Sequence, residues 1–360
     1  MAATITSFWT ASALGTGNAE TLTNLQRGTA PGMREIAGDI PGRSLFFGCI
    51  DAELPVIAER KWNMRACRLL KLAAAGLQEE LDDLRARVAA DRIGIVLGAS
   101  NTGIDEAQNF VDAWIASGEK PAALDFSMIE LGTPALYLQE LLGTTGPAYT
   151  VSTACSSAAK AFGAARRLLD RGLCDAVVTG GVDGRCRFAM NGFQALGALS
   201  EGRCRPLAPD RDGINLGEAV ALFVLEPGGA GVRLRGVGES SDASHATAPD
   251  PEGGGAEAAM RAALADAGFA PGDIDYVNLH GTGTPANDAM EMKAVERVFA
   301  GCARLPRCES TKPLTGHCLG AAGAVEAAIA ALSIQSGACR TALSNSFAFG
   351  GSNASLVLSA

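Results

Sequence analysis

The chain has 360 residues, 48% of them hydrophobic and 19% charged, which is more than one hydrophobic core ordinarily serves and enough to bury a large one. A formal net charge of −9, from 30 Lys and Arg against 39 Asp and Glu, excludes the basic surface that a nucleic-acid partner needs. Ten cysteines at irregular spacings, with no C-x-x-C pair, exclude a zinc or disulfide framework and read as reduced thiols, most of them small core residues.

The first residues, MAATITSFWT, lack the basic start and apolar stretch of a signal peptide. No run approaches the roughly 18 apolar residues of a membrane span, and Glu326 interrupts the Ala-rich stretch from Ala321 to Leu332. A cytoplasmic protein without membrane insertion is expected. Ala3 to Phe8 reads as a strand. The cationic segment Arg60 to Arg65 leads into a helix running to about Leu84, on the spacing of Leu69, Leu70, Leu72, Leu77 and Leu81. Arg92 to Ala99 is a short apolar run, hence a buried strand. A strand at Tyr149 to Ser152, a helix from Cys155 to Leu169 and a strand from Asp175 to Gly181 form the central unit. The theme then repeats. Val232 to Gly238 reads as a strand, Ala256 to Ala267 as a helix, and Asp275 to Leu279 as a strand delivering His280. Helices follow at Asn287 to Phe299 and His317 to Gln335, and strands at Thr341 to Ser346 and Ser355 to Ser359 close the chain around FAFGGSN. The shared element order suggests a duplication, with no sequence repeat to support it.

Cys155 lies in Ser152-Thr-Ala-Cys-Ser-Ser157, between strand and helix. One cysteine among ten is ordinarily a small core residue, but a helix N-terminus stabilises a thiolate and lowers the thiol pKa from about 8.5. The N–H groups there can also receive an oxyanion. Two of the chain's three histidines, His280 and His317, sit at Gly-bounded ends of a strand and a helix, where α/β folds build sites. A lone histidine beside an apolar segment is more often structural, and the third, His245, is ambiguous.

Cys155 in TACSS, HGTGTPAND from His280, KPLTGHCLGAAG from Lys312 and SFAFGGSN around Phe349 resemble, in order, the signature blocks of the type I/II β-ketoacyl-acyl carrier protein synthases. These are condensing enzymes of fatty-acid and polyketide synthesis. GALSEGRCRPLAPDRDGINLGEA and weaker similarity extend the resemblance over most of the chain. It implies an α/β thiolase fold of two duplicated halves in α-β-α-β-α layers. Residues 1–230 would carry the nucleophilic cysteine and residues 231–360 the two catalytic histidines. It also implies decarboxylative condensation of an acyl group held on Cys155 with malonyl carrier protein, without a cofactor beyond the carrier's phosphopantetheine arm. The N–H groups of Cys155 and Phe349 would form the oxyanion hole. Neutral His280 and His317 would hydrogen-bond the enolate oxygen, and Lys312 and Glu326, paired with each other, would hold the site's electrostatics and geometry. Thr282, Thr284, His245 and Thr247 would meet the pantetheine arm, and Phe349 would gate the acyl pocket. A basic cluster, Arg60, Lys61, Arg65, Arg68 and Lys71 with Arg203, Arg205 and Arg211, would dock the acidic carrier protein. The family further implies a homodimer, or a heterodimer with a related ketosynthase or chain-length factor.

Three departures from the family pattern stand out: a connection cut to Ala-Cys-Arg between Gly337 and Thr341, another cut to GGAG after Pro227, and Ala348 where the gate turn usually has Gly. They point away from ordinary fatty-acid elongation and toward the trimmed ketosynthases of aryl-polyene-type pathways. A chain-length factor would lack the nucleophile. A thiolase acting on coenzyme A thioesters would place a second cysteine in the C-terminal Gly-rich turn, and FAFGGSN has none. A starter-unit synthase would have Asn at position 317.

Overall fold

Short segments that are apolar at successive positions build the centre of the protein, whose computed structural model describes residues 3–122 and 125–360. Ile93–Gly98, Ala176–Asp183 and Ala219–Glu226 are buried along almost their whole length, because helices cover both faces of the sheet they join. The strand order is Arg307–Glu309, Tyr276–Asn278, Thr341–Phe347, Ser352–Ser359, Val232–Ser241, Ala3–Ser12, Ala219–Glu226, Ala176–Asp183, Ile93–Gly98, Ala148–Val151.

The centre of that order is the antiparallel pairing of Ala3–Ile5 with Leu234–Val232. Outward from it, the two halves match strand for strand. Each runs antiparallel, antiparallel, parallel, parallel through its successive neighbours. The duplication that element order only suggested is explicit in the topology. In each half a helix follows the outermost strand: Ser157–Asp170 in the first, Ala322–Gln335 in the second. These two helices pack together as the middle layer, between the half-sheets. Arg65–Gly76 and Thr133–Leu142 cover the outside of the first half, and Gly254–Ala267 and Pro285–Val298 the outside of the second. The central pair can approach closely because it is built of Ala and Gly: a Cβ on Gly323 would stand 2.8 Å from the Ala159 nitrogen.

Three helices differ from the sequence reading. The helix expected to run unbroken to Leu84 is two, Arg65–Gly76 and Gln78–Arg87. Gly76 lies against the indole of Trp9, where a Cβ would come within 2.3 Å of Nε1, and the chain turns at Leu77. The helix assigned from His317 begins at Ala322, after an extended bridge at His317 and a left-handed Leu319 with φ 51°. Likewise the helix read from Cys155 starts at Ser157. In both cases the residue of interest sits in a turn ahead of the helix. A hairpin of Met33–Ile40 and Arg43–Gly48, joined by Leu216–Gly217, was not anticipated. Among the described residues, no helix is long and apolar enough to cross a membrane.

Candidate active site

The duplication brings three turns to one point. Cys155 and His317 precede the two central helices, and His280 follows the strand Tyr276–Asn278. The Cys155 sulfur and one nitrogen from each ring all lie within 4.8 Å of one another. His317 Nε2 is 3.0 Å from Sγ. The two rings meet edge to face at 5.2 Å, and all three residues are buried.

The turn geometry is tightly specified. Ala154 has φ 51°, a left-handed conformation that an L residue adopts only under constraint, and it aims the next side chain into the cavity. The backbone of His317 is pinned on both sides, its N–H donating to Asn215 O at 2.7 Å and its carbonyl accepting from Gly217 N at 3.1 Å. Helix-end stabilisation of the thiolate does not prevail. Burial pushes the Cys155 thiol up to about 11, against the opposing pull of the Lys312 cation and of the Phe349 and Cys155 N–H groups, so the resting sulfur is protonated. Those two N–H groups nevertheless converge on the sulfur, where an acyl oxygen would develop charge.

Burial, with the nearby Lys312 cation, holds both imidazoles well below the usual histidine range, and they are neutral at pH 7. Lys312 also sets a tautomer. Its ammonium has three protons. They face Glu326 Oε1 at 2.5 Å, the carbonyl oxygen of His280, and His280 Nδ1 at 3.4 Å. Because an ammonium can only donate, Nδ1 accepts and the ring proton resides on Nε2. A sulfur and two imidazoles are also a metal-ligand set, but a protonated Nε2 has no lone pair to coordinate, so the residues do not fit a resident metal. Glu326 is buried with Lys312, and burial raises its carboxyl pKa despite that partner.

A cavity of about 360 Å³ opens from this centre. Thr282, Thr284 and Thr247 line it, together with Phe193 and Phe349, whose rings lie 5.5 Å apart. His245 does not line it. Its exposed ring accepts the Thr247 and Ala248 N–H groups at 3.1 Å and shapes the loop instead. Ala348 takes φ −113°, which any residue adopts, so its difference from Gly imposes no backbone strain.

The basic cluster does not form one free surface. Arg65 is bound through two nitrogens to the buried Glu218 carboxylate. Arg68 donates to Leu54 O and Pro55 O, and Lys71 to Val56 O, so both tie down the preceding loop. Arg211 pairs with buried Asp288 at 3.5 Å, and Arg205 with Asp210 at 2.9 Å. Arg60 and Lys61 are exposed, Lys61 lying 3.8 Å from Glu140.

Two buried acids escaped the sequence reading. Glu291 accepts the N–H groups of His280 and Gly281 at 2.8 and 2.7 Å, and burial raises its carboxyl pKa to about 7. Asp288, one turn earlier on the same helix, accepts Gly283 N at 3.1 Å. Their i, i+3 spacing, which puts both carboxylates on the helix face that carries Ala294, Val295 and Val298, was the available signal. Asp183 and Glu218, 0% and 1% exposed, are further buried acids missed in the same way.

A buried thiol faced by an oxyanion-accepting pair of N–H groups and by neutral imidazoles is equipment for acyl transfer through a thioester. Sequence models of the β-ketoacyl synthase N-terminal and C-terminal domains match residues 12–229 and 232–344. A 3-oxoacyl-[acyl-carrier-protein] synthase 2 of Staphylococcus aureus is 34% identical over 297 residues, 77% of this chain and 73% of that one. Nodulation protein E of Rhizobium sp. (strain N33) is 33% identical over 355 residues, 86% of this chain and 87% of that one. A chain of the solved complex of the ketosynthase ApeO with its chain length factor ApeC, from Xenorhabdus doucetiae, superposes with a TM-score of 0.94 at 39% identity, covering 99% and 98% of the two chains. The protein belongs to the β-ketoacyl synthase family: a thiolase-fold acyltransferase that condenses acyl and malonyl units on carrier protein.

Proposed function

We propose that Cys155 attacks the thioester of an acyl carrier protein, forming an acyl–sulfur bond while the thiol proton leaves with the departing pantetheine sulfur. The malonyl group of a second carrier protein then enters the cavity on its pantetheine arm, past Thr247, Thr282 and Thr284. As CO₂ leaves, the electron pair moves onto the thioester oxygen, where His280 Nε2–H and His317 receive it by hydrogen bonding. The enolate carbon attacks the acyl carbonyl, whose oxygen accepts from the N–H groups of Cys155 and Phe349, and the carbon–sulfur bond breaks to release a β-ketoacyl carrier protein, the Cys155 sulfur taking a proton from solvent to return to the thiol. The enzyme needs no cofactor of its own in this scheme. One observation carries the reading: sulfur and two neutral rings, drawn from both halves of the chain, converge on one cavity, with Lys312 against the His280 ring.

The pathway is a specialised, aryl-polyene-type one in a bacterial cytoplasm. The likeness to a chain of the ApeO–ApeC complex, 39% identical and matched over 98% of its length, supports this reading together with the two shortened connections of this chain. A chain-length-factor-like subunit is the partner, as in the complex that neighbour comes from. It would cover the apolar face around Ile115, Trp114 and Phe126, 78%, 38% and 54% exposed. Carrier docking falls to the exposed Arg60 and Lys61, with Arg205, whose partner Asp210 is itself exposed, on the segment that continues to the cavity residue Asp212. Turnover of malonyl carrier protein with saturated, polyunsaturated and aryl-acyl starters tests this. Preferential extension of the conjugated aryl starters is expected, and preference for saturated chains would remove the pathway assignment.

A further inference from the structure

We infer that Asp183, a residue with no part in the scheme above, is a positioning residue that fixes His317. It stands at the end of the strand Ala176–Asp183, is 0% exposed, and has no cationic partner among the described residues. A buried carboxylate without a counter-charge is costly unless N–H and O–H groups surround it. Here they do. Its oxygens accept Ser100 N at 3.0 Å, Ser100 Oγ at 2.7 Å, Asn101 N at 2.8 Å and Gly320 N at 2.6 Å.

These donors come from two strained turns. Asn101 precedes Thr102, with φ 47°, and Gly320 follows Leu319, with φ 51°; neither is glycine, and each left-handed residue persists only where its surroundings hold it. Leu319 is two residues beyond His317. A Cβ on Gly320 would stand 2.7 Å from Asp183 Oδ2, so the turn is pressed directly onto the carboxylate. Nδ1 of His317 has no protein partner, and Nε2 meets the nucleophile itself, Cys155 Sγ, at 3.0 Å, so neither nitrogen is held by a separate positioning group. The ring's aim onto Cys155 therefore depends on backbone anchors: Asn215 and Gly217 before the turn, and Asp183 after it. The other turn that Asp183 grips opens the helix Ile104–Ser117, which carries Trp114 and Ile115 of the apolar face. One carboxylate thus ties the proposed subunit face to the ring beside the nucleophile.

The inference rests on His317 acting on the malonyl thioester, so the test separates the two. Acylation of Cys155 and decarboxylation of malonyl carrier protein are measured for wild type, Asp183→Asn, Ser100→Ala and His317→Ala, with thermal unfolding of each. Asp183→Asn keeps the shape but turns an acceptor into a donor facing N–H groups. It is expected to lower the decarboxylation kcat at least tenfold, with KM and Cys155 acylation within about twofold of wild type. Ser100→Ala, which removes one donor of four, should fold normally and show a smaller loss in the same step. If His317→Ala decarboxylates normally, the role of His317 fails. If His317→Ala is impaired while Asp183→Asn and Ser100→Ala decarboxylate like wild type, or lose acylation and decarboxylation equally, Asp183 is structural only and the inference is overturned.

Discussion

Replacing Lys312 by Met tests the buried pair at the heart of the site. The two side chains are 1% and 3% exposed, and the ammonium has Glu326 Oε1 at 2.5 Å. Removing one partner of a buried pair ordinarily costs about 3–5 kcal/mol, because a charge is left without compensation. Glu326 can escape part of that cost by taking up a proton, since burial already raises its pKa in the intact pair. The sign follows. A carboxyl whose folded pKa lies above its unfolded value costs nothing at low pH. It destabilises by about 1.4 kcal/mol for each pH unit above the unfolded pKa, until its folded pKa is passed. Lys312→Met should therefore lose about 3 kcal/mol in urea unfolding at pH 8 and markedly less at pH 5.5. Lys312→Met combined with Glu326→Gln should recover most of the loss at pH 8. An equal loss at both pH values, or no recovery in the double variant, would refute the reasoning.

Other consequences are as direct. Because burial holds the Cys155 thiol near 11, its alkylation by iodoacetamide should accelerate about tenfold per pH unit from pH 7 to 10; a plateau near neutrality would mean a resting thiolate. Arg65→Ala strands the buried Glu218 carboxylate and should cost about 2 kcal/mol of stability, whereas Arg60→Ala should change stability by less than about 0.5 kcal/mol and slow carrier association at low salt. Ala348→Gly should leave acyl-chain turnover within about twofold, since the position is extended; a large gain would show that the gate passes through a left-handed state.

Much of this was legible in the residues, for identifiable reasons. The buried strands and the helices Ser157–Asp170 and Gly254–Ala267 follow from apolar runs and periodicity, which are local signals. The protonated state of Cys155 was not legible, because a helix end is a local feature while burial is set by the whole fold. Arg65 looked like part of a free basic run because Glu218, its partner, lies 153 positions away. Asp183 and Glu291 were missed for a related reason: their partners are mostly backbone N–H groups, which leave no residue type to recognise at a distance. His245 matched a motif position, yet its ring turns back on its own loop.

The central claim is that one sulfur, Cys155, carries the growing chain. Intact mass and peptide mapping after incubation with an acyl carrier protein thioester, followed by malonyl carrier protein, test it most directly. The account predicts one acyl adduct per chain, on Cys155 alone among ten cysteines, discharged as a β-ketoacyl carrier protein on the second addition and absent from Cys155→Ala. An adduct on another cysteine, or product formation by Cys155→Ala, would contradict it.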